Sequence, residues 1–401
     1  MKLLHTSDWH LGASLGPEKR TAEFEAALDW LLRTIAEEKI EAVIIAGDVF
    51  DSALPSNSAS GLYYRFISGA REAGVRTLIV TAGNHDSASF LEAPRELLRC
   101  LNVTVIGQAD SENYDAQIVP LRDSSGALCA AVCAVPFLRD RDIRRAVSGE
   151  TAEQQQSSRQ EGILRHYRGI CTRAAELYPG IPLIATGHFY AAGGTVSGSH
   201  SIGTLTGIPV SGLPENISYL ALGHLHTPQT VGGRPNFRYS GSLLRMSFGD
   251  HDAEKTVLIL DSECLSDPPR TIPIPVFQHL EKITGDLDAI RKRIEELKKL
   301  ALPVRVSIEN TGNFEPQLPQ LLAACCGKSA IRVISCRNQQ ENPVVRMRRP
   351  LGGKQLNELT PELVFRSLLD ERSLPPDRRE ALLRAFREAE QELAEADAQA
   401  E

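Results

Sequence analysis

The chain has 401 residues, of which 42% are hydrophobic, and a formal net charge of −7 at pH 7. This length exceeds one ordinary core, so we expect two domains and an appendage, with enough apolar residues for a sizeable core. The acidic balance argues against a nucleic-acid binder that relies on bulk charge, although a local basic surface or a metal site can still attract phosphate.

Apolar runs in the sequence are too short to cross a bilayer, and the N-terminus becomes polar at once, without a signal-peptide core. We therefore predict a cytoplasmic protein that does not enter a membrane. The eight cysteines are scattered and lack Cys-x-x-Cys spacing. This favours reduced thiols in the core over a zinc site or a disulfide framework.

The N-terminal two thirds of the sequence alternate β-type runs with amphipathic helical stretches, which is the rhythm of a layered α/β domain. Helices are predicted over residues 21–38, near 59–73 and over 161–177. The predicted strands cover residues 2–6, 42–46, 76–81, 127–135, 182–186, 219–222, 237–239 and 256–260.

A proline-rich break follows, with Asp267-Pro268-Pro269, Pro273 and Pro275, and indicates a domain boundary. Beyond it, helices at 286–300 and 317–324 and strands at 304–308 and 330–335 predict a small α/β cap. A second linker precedes two predicted tail helices at 361–370 and 376–396. The predicted domains are a main domain over 1–265, a cap over 276–345 and a helical tail over 354–401.

Polar side chains follow five predicted strands of the main domain, at the point where each strand ends. Functional groups in an open α/β sheet collect beyond the carboxyl ends of the strands, so we expect these side chains to meet in one crevice. In chain order the motifs are Asp8-x-His10, Gly47-Asp48, Gly83-Asn84-His85-Asp86, Gly187-His188 and Gly223-His224-x-His226.

Carboxylate, amide oxygen and imidazole ligands suit a divalent ion such as manganese or iron, and the lack of cysteine argues against structural zinc. Two ions about 3.5–4 Å apart, bridged by a carboxylate, would clamp a phosphodiester and generate hydroxide at neutral pH. Glycine beside a ligand lets the backbone turn sharply and approach the site closely. That role is predicted for Gly47, Gly83, Gly187 and Gly223.

Each motif taken alone is common as a turn or a cap. Five of them in this order, each behind a β-type run, favour a functional site. The remaining histidines lack this context and are predicted to be ordinary core or surface residues: His5, His166, His200, His251 and His279.

The five motifs resemble the signature of the calcineurin-like metallophosphoesterases. Within that superfamily the chain is similar to the SbcD family of nuclease subunits and, more distantly, to archaeal and eukaryotic double-strand-break repair nucleases. The closer likeness rests on HTSDWHLG at 5–12, GDVFD at 47–51 and ALGHLH at 221–226, supported by VPFLR at 135–139 and YSGS at 239–242. It is strong over the main domain, looser over the cap, and general in the tail.

The resemblance implies an α/β fold in which a β-sandwich is flanked by helices, with a small α/β cap and a C-terminal helical tail. It also implies two divalent metal ions, expected to be Mn²⁺. The first would bind Asp8, His10 and His226, and the second Asn84, His188 and His224, with Asp48 bridging.

Two further residues receive catalytic roles from the resemblance. His85 would act on the scissile phosphate or protonate the leaving oxygen, with Asp86 orienting it. Asp51 stands where archaeal and eukaryotic relatives carry histidine. A histidine role therefore does not transfer, and Asp51 is only an additional candidate.

The implied function is a manganese-dependent DNA nuclease, both double-strand exonuclease and single-strand or hairpin endonuclease. It would act with an SbcC-type ATPase in DNA end processing, replication and recombination, as a homodimer within a heterotetramer. The tail helices would dock into the ATPase, although folding back onto this chain is the alternative. Their apolar stripes comprise Leu363, Phe365, Leu368, Leu369, Leu382, Leu383, Phe386 and Leu393.

Two other functions stay open. A phosphoesterase acting on a small phosphoester, a nucleotide or a phosphoprotein would share every metal ligand. A non-catalytic architectural subunit would have lost ligands, and none is missing here. Two basic clusters fit either DNA phosphates or a solvated surface: Arg139, Arg141, Arg144 and Arg145, and then Arg346, Arg348 and Arg349.

Overall fold

The structure is a computed structural model that describes residues 1–144, 150–195, 207–250 and 254–340, together with Phe365, Leu369 and residues 378–386. The chain divides into two compact units, Met1–Gln340 and Glu341–Glu401. Residues 378–386 of the second unit are helical, and Phe365 stacks on Phe386 within it. Most of the two predicted tail helices lies outside the described residues, as do Arg145, Arg346, Arg348, Arg349, His200 and His251.

The described residues form seventeen strands. In chain order these are β1 (Lys2–Thr6), β2 (Ser14–Leu15), β3 (Glu18–Lys19), β4 (Ala42–Ala46), β5 (Thr77–Thr81), β6 (Val103–Ile106), β7 (Ile118–Arg122), β8 (Leu128–Cys133), β9 (Leu183–His188), β10 (Ile217–Gly223), β11 (Gln229–Val231), β12 (Arg234–Tyr239), β13 (Thr256–Asp261), β14 (Arg270–Pro273), β15 (His279–Gly285), β16 (Val304–Asn310) and β17 (Ile331–Asn338).

Eight α-helices accompany these strands in the described part of the first unit. They are α1 (Thr21–Glu38), α2 (Asn57–Glu72), α3 (Ala88–Glu92), α4 (Arg95–Arg99), α5 (Asp140–Ile143), α6 (Ala152–Leu177), α7 (Leu287–Leu297) and α8 (Leu318–Cys326). Within residues 1–340 the predicted helices and strands are confirmed in type, with ends that move by a few residues. The exception is α6, which begins nine residues earlier than predicted because Thr151 and Gln154 form a reciprocal capping box.

Two six-stranded sheets make up the main body. Sheet one has the order β14-β13-β1-β4-β5-β6, and sheet two has the order β11-β12-β10-β9-β8-β7. In sheet one β1, β4, β5 and β6 are parallel, and in sheet two β8, β9, β10 and β12 are parallel. The carboxyl ends of the central strands in each sheet therefore point to one edge.

Successive side chains of a strand point to opposite faces of the sheet, and in both sheets each face is buried. The inner faces pack on one another, with Leu3 and Ile44 of sheet one beside Val132, Ile184 and Tyr219 of sheet two. The outer face of sheet one packs under α1 and α2, and the outer face of sheet two packs under α6. This four-layered β-sandwich flanked by helices is the predicted α/β architecture.

The proline-rich segment carries a strand that the sequence did not reveal. β14 pairs with β13 at the edge of sheet one and ends at Pro273. Proline is tolerated there because an edge strand leaves some backbone N–H groups without a ladder partner. Sheet one therefore continues past residue 265.

The cap is a parallel sheet, β15-β16-β17, covered by α7 and α8, with its own core around Ile290, Val306 and Leu322. The hairpin β2–β3 joins it to the main body. Arg305 forms an ion pair with Glu18 of this hairpin. A Cβ at Gly16 would come within 2.9 Å of Ile334, so the turn lies directly on β17.

All eight cysteines are unbridged, as predicted, but only Cys133, Cys171 and Cys326 are buried. Among the described residues, none of the helices combines the length and the apolarity needed to span a membrane.

Candidate metal centre

The predicted ligands come together where the carboxyl edges of the two sheets meet. Loops after β1, β4 and β5 of sheet one carry Asp8, His10, Asp48 and Asn84, and the ends of β9 and β10 of sheet two carry His188, His224 and His226. The first two loops are hydrogen-bonded to one another, from Asp8 N–H to the Gly47 carbonyl (3.0 Å) and from His10 N–H to the Asp48 carbonyl (2.9 Å).

One half of the centre is formed by Asp8, His10 and His226, whose ligand atoms all lie within 4.8 Å of one another. The Nε2 atoms of His10 and His226 are 3.2 Å apart. Two ligands about 2.1 Å from one ion lie roughly 3–3.5 Å apart, so this spacing suits a shared cation. His224 N–H donates to Asp8 Oδ1 (2.8 Å), which ties the two sheets together at this point.

The other half contains Asn84, His188 and His224. Asn84 Oδ1 lies 3.1 Å from His188 Nε2 and 3.1 Å from His224 Nδ1. His188 Nδ1 lies 3.0 Å from the Ala46 carbonyl, which can only accept. Nδ1 therefore carries a proton, and Nε2 is the nitrogen that faces the site and would bind a metal ion.

Asp48 lies between the two halves. Its Oδ2 atom is 3.2 Å from His188 Nε2 and 3.6 Å from His10 Nε2. Its Oδ1 atom accepts the His85 N–H (2.9 Å). One carboxylate thus contacts a predicted ligand of each half, which is the position of a bridging group.

Four of the predicted ligands have a left-handed backbone. The φ angles are 51° at Asp8, 48° at His10, 50° at Asp48 and 98° at His224. This region is unfavourable for residues with a Cβ and costs on the order of 1–3 kcal/mol at each. The strain turns the side chains inward just past the strand ends.

Glycine is needed at these positions mainly because neighbouring atoms lie too close to leave room for a Cβ atom. A Cβ at Gly47 would lie 2.1 Å from His188 Nδ1, and a Cβ at Gly223 would lie 1.9 Å from the Ala46 carbonyl. Of the four glycines beside ligands, only Gly47 has a left-handed φ (86°). The sharp backbone turn that was predicted at the glycines is therefore present at Gly47. At the other strand ends the left-handed backbone is found at predicted ligands such as His224.

Charge is concentrated in this crevice. Burial acts to raise the pKa of Asp48, but the imidazoles of His188 and His10 outweigh it and hold that pKa well below its ordinary value. Burial acts to lower the pKa of His188, but Asp48 outweighs it and raises that pKa to about 9. Burial and the neighbouring His188 lower the pKa of His224 to about 4.

His85 and Asp86 have different surroundings. His85 Nδ1 lies 2.9 Å from the Asp51 carbonyl, and its ring packs edge-on to His10 at 4.8 Å. Asp86 is buried, and its carboxylate accepts three backbone N–H groups, from Val49, Phe50 and Gly83. Asp86 therefore holds the loops after β4 and β5 together, and its side chain is committed to backbone groups, whereas the resemblance implies that it orients His85.

Asp51 and Arg139 lie beside the ligands. Asp51 Oδ1 is 3.5 Å from His10 Nδ1, and the neighbouring His10 imidazole lowers the pKa of Asp51. Arg139 donates to the Asp86 carbonyl (3.0 Å) and so braces the turn that carries His85. The next arginines of this cluster pair with local acids, Arg141 with Asp142 and Arg144 with Asp140 and Glu150.

Sequence reasoning assigned no role to Ser7 or Ser240, although both lie within the stretches that carry the family likeness. The Ser7 hydroxyl donates to the Asp8 carboxylate and lies 2.8 Å from Ser240 Oγ. Serine beside a strand end gives no distinctive signal in a single sequence. Of the histidines predicted to be ordinary, His5 and His166 are buried, and His279 pairs with Glu281 at 2.9 Å.

The donor set fits divalent metal ions. It contains carboxylate, amide and imidazole groups without thiolate, and the Nδ1 contact of His188 directs Nε2 into the site. The carboxylate of Asp48 raises the pKa of His188, so a cation bound at this place would displace the proton that His188 otherwise carries on Nε2.

Comparison with known proteins places the chain in a family. Residues 1–228 match the calcineurin-like phosphoesterase family, and residues 276–373 match the family described as type 5 capsule protein repressor C-terminal domain. Among solved structures, TT1561 of Thermus thermophilus aligns over 68% of this chain and 99% of its own, at 14% identity and a TM-score of 0.39, which is too low to support an argument.

Curated relatives cover much more of the chain. The SbcD component of the SbcCD nuclease from Escherichia coli K12 is 34% identical over 96% of this chain and 97% of its own. Its Rhodobacter capsulatus counterpart is 36% identical over 77% and 78%, and its Bacillus subtilis counterpart is 32% identical over 66% of each chain. The chain therefore belongs to the calcineurin-like phosphoesterases and, within them, to the SbcD family.

Proposed function

We propose that this chain is a metal-dependent DNA nuclease, the SbcD-type component of an SbcC–SbcD complex. One observation carries the proposal: Asp48 lies between His10 of one ligand group and His188 of the other. Such a bridging carboxylate is what a two-metal phosphodiesterase needs. The similarity to curated nuclease subunits over nearly the whole chain supports DNA as the substrate.

The proposed first metal ion is held by Asp8, His10 and His226, and the second by Asn84, His188 and His224, with Asp48 shared. Bound divalent ions supply a nucleophilic hydroxide and neutralise developing charge on the phosphate. The protein's own contribution is to fix these side chains in a buried crevice with defined tautomers. The oxygen and nitrogen donors suit manganese or iron, and we propose Mn²⁺ because the resemblance to the SbcD family implies it.

His85 is the proposed catalytic residue. Its Nδ1 lies 2.9 Å from the Asp51 carbonyl, which assigns the proton to Nδ1 and leaves Nε2 to act on the phosphate or the leaving oxygen. Asp86 supports this role at a distance, since it fixes the backbone on which His85 stands. Asp51 is proposed as the orienter of both His10 and His85.

The proposed partner is an SbcC-type ATPase, which the tail helices would contact. The proposed assembly is a homodimer of nuclease subunits within a heterotetramer, working on DNA ends and hairpins in the cytoplasm. The proposed domains are the nuclease domain over 1–265, with β14 as an added edge strand, the cap over 276–345 and the partner-binding tail over 354–401.

The deciding experiment compares substrates. Purified protein, with and without SbcC, is assayed on linear and hairpin DNA and on a generic phosphomonoester, in Mn²⁺, in Mg²⁺ and with a chelator. We expect DNA cleavage in Mn²⁺ that the chelator abolishes. Strong monoester turnover without DNA cleavage would instead indicate a small-molecule phosphoesterase.

A further inference from the structure

A buried lysine lies directly behind the first ligand group. The Lys255 side chain is only 4% exposed, and its Nζ atom donates to the backbone carbonyl of His226 at 2.8 Å. A buried ammonium group is costly unless it is paired and hydrogen-bonded. Asp250, itself buried, lies 3.7 Å from this Nζ and accepts the Met246 N–H at 3.1 Å. Lys255 therefore has a fixed place.

The carbonyl that Lys255 reaches belongs to a residue whose ring faces the site. It also accepts the N–H of Ser242 at 3.1 Å, so donors from two segments converge on it. The ring of the same residue places Nε2 3.2 Å from His10 Nε2. Moving this carbonyl would move the ring, because only the Cα–Cβ–ring linkage separates them.

The backbone here needs such support. His226 follows the end of β10, beyond the last ladder contact of that strand, and His224 two residues before it has a left-handed φ of 98°. A loop that leaves a strand through a strained residue has no ladder to hold it. Hydrogen bonds from outside the loop must do so.

We propose that Lys255 is a positioning residue for the first metal site, holding the His226 backbone so that its imidazole is aimed at the ion. The inference rests on the metal centre proposed above. It assigns Lys255 no contact with the ion or the substrate, and its effect reaches the ion through His226.

A cavity beside Lys255 makes the proposal testable. The cavity has a volume of about 360 Å³ and is lined by Lys255, Leu243, Ile274 and Phe277, among others. Exposed Glu254 also lines it, so solvent can enter. A small alkylammonium ion could therefore reach the space that a truncated side chain leaves.

The experiment measures Mn²⁺ binding to the full chain by calorimetry. Lys255→Met removes the donor at nearly constant shape, and Lys255→Gln keeps an N–H donor. We expect Lys255→Met to weaken one Mn²⁺ equivalent about tenfold or more, the usual effect of losing an outer support of a ligand. Lys255→Gln should stay closer to the wild type. The matched control is Lys2→Met, because Lys2 lies on the same sheet but forms an exposed ion pair with Glu38.

Chemical rescue separates positioning from general stability. In Lys255→Ala, ethylammonium should restore the weakened equivalent, whereas tetramethylammonium, which has no N–H, should not. Wild-type affinities in Lys255→Met would overturn the proposal. So would equal weakening of both equivalents without rescue by ethylammonium.

Three further outcomes are decisive. If Lys255→Met does not fold, Asp250→Asn replaces it, because it removes the charge that holds the ammonium in place; unchanged binding there would overturn the proposal. A wild-type chain that binds no Mn²⁺ would overturn the metal centre itself. A normal wild type with unaffected variants would reject only the role of Lys255.

Discussion

The two sheets of the sandwich supply different chemistry to one crevice. Loops after sheet one carry every carboxylate and the amide of the ligand set, with His10 as its single imidazole, whereas sheet two contributes only histidines. Neither sheet holds a complete proposed ligand group, since Asp8 is grouped with His226, and Asn84 with His188 and His224. Metal binding should therefore report on how well the inner faces pack, because that packing sets the distance between the two half-sites.

The strongest test of this comparison removes the charge that both halves share. Asp48→Asn keeps shape and a hydrogen-bond acceptor for His85 N–H but loses the bridging carboxylate. Several kcal/mol of transition-state stabilisation should disappear, so cleavage should fall about a thousandfold or more. Single-turnover hairpin cleavage and metal content per chain measure the effect. Cleavage within tenfold of the wild type would show that the two half-sites work without a shared carboxylate.

His85→Ala tests whether sheet one contributes chemistry beyond metal binding. The His85 ring contacts the Asp51 carbonyl and the His10 ring, and the His85 backbone N–H donates to Asp48. Alanine keeps the backbone contact, and the removed ring makes none of these contacts with sheet two. Cleavage should drop by about 10²–10⁴-fold, the usual contribution of a positioned acid or base. Metal content, measured by mass spectrometry, should stay at the wild-type level. Lost metal would make His85 a ligand, and unchanged cleavage would remove its role.

Paired substitutions in sheet two test the division into two ligand groups. His226→Ala and His188→Ala should each weaken one Mn²⁺ equivalent by tenfold or more, and the two affected equivalents should differ. Calorimetry of both variants and of the double variant distinguishes them. If both single variants lose the same equivalent, the assignment of histidines to separate ions is wrong.

The smallest expected effect concerns a histidine on helix α6, which packs on the outer face of sheet two. This histidine contrasts with His188, which has a carboxylate neighbour. His166 on α6 is 3% exposed, and neither ring nitrogen has a hydrogen-bond partner among the described residues. Burial lowers its pKa to about 4, whereas Asp48 raises that of His188 to about 9. The two values show what a carboxylate partner does to a buried imidazole.

The depressed pKa of His166 makes folding pH-dependent. The unfolded chain takes up this proton near pH 6.5 and the folded chain only near pH 4, so stability is full above about 6.5 and declines as pH falls towards 4. At pH 5 the loss should be about 2 kcal/mol. In His166→Phe, the difference in unfolding free energy between pH 7 and pH 5, measured in urea, should shrink by that amount. An unchanged difference would contradict it.

Much of the site was predictable because its ligands follow a simple rule. A buried β-run followed by glycine and a polar residue marks a strand end, and Asp48, His188 and His224 all obey it. The parallel arrangement of β1, β4 and β5 then brings their loops together. The layered fold followed from the same runs, since Val43, Ile44 and Ile45 are apolar on both faces as a doubly covered strand requires.

Other features had no local signal. Lys255 is one lysine just before strand β13, and only the folded chain shows its contact with His226, 29 residues away. The hairpin β2–β3 has two-residue strands, too short for a period to be detected. In strand β15 the buried residues Leu280 and Ile283 are three positions apart, which breaks the two-residue period by which a strand is detected. The commitment of Asp86 to three backbone N–H groups likewise depends on tertiary contacts.

The left-handed backbone at Asp8, His10, Asp48 and His224 has a consequence for protein engineering. Glycine would relieve the strain at each position, so activity and thermal stability pull in opposite directions at these four residues. A screen that selects only for a higher melting temperature would tend to replace them and return well-folded, inactive chains. Stabilising substitutions are better sought in the helical layers, away from the crevice.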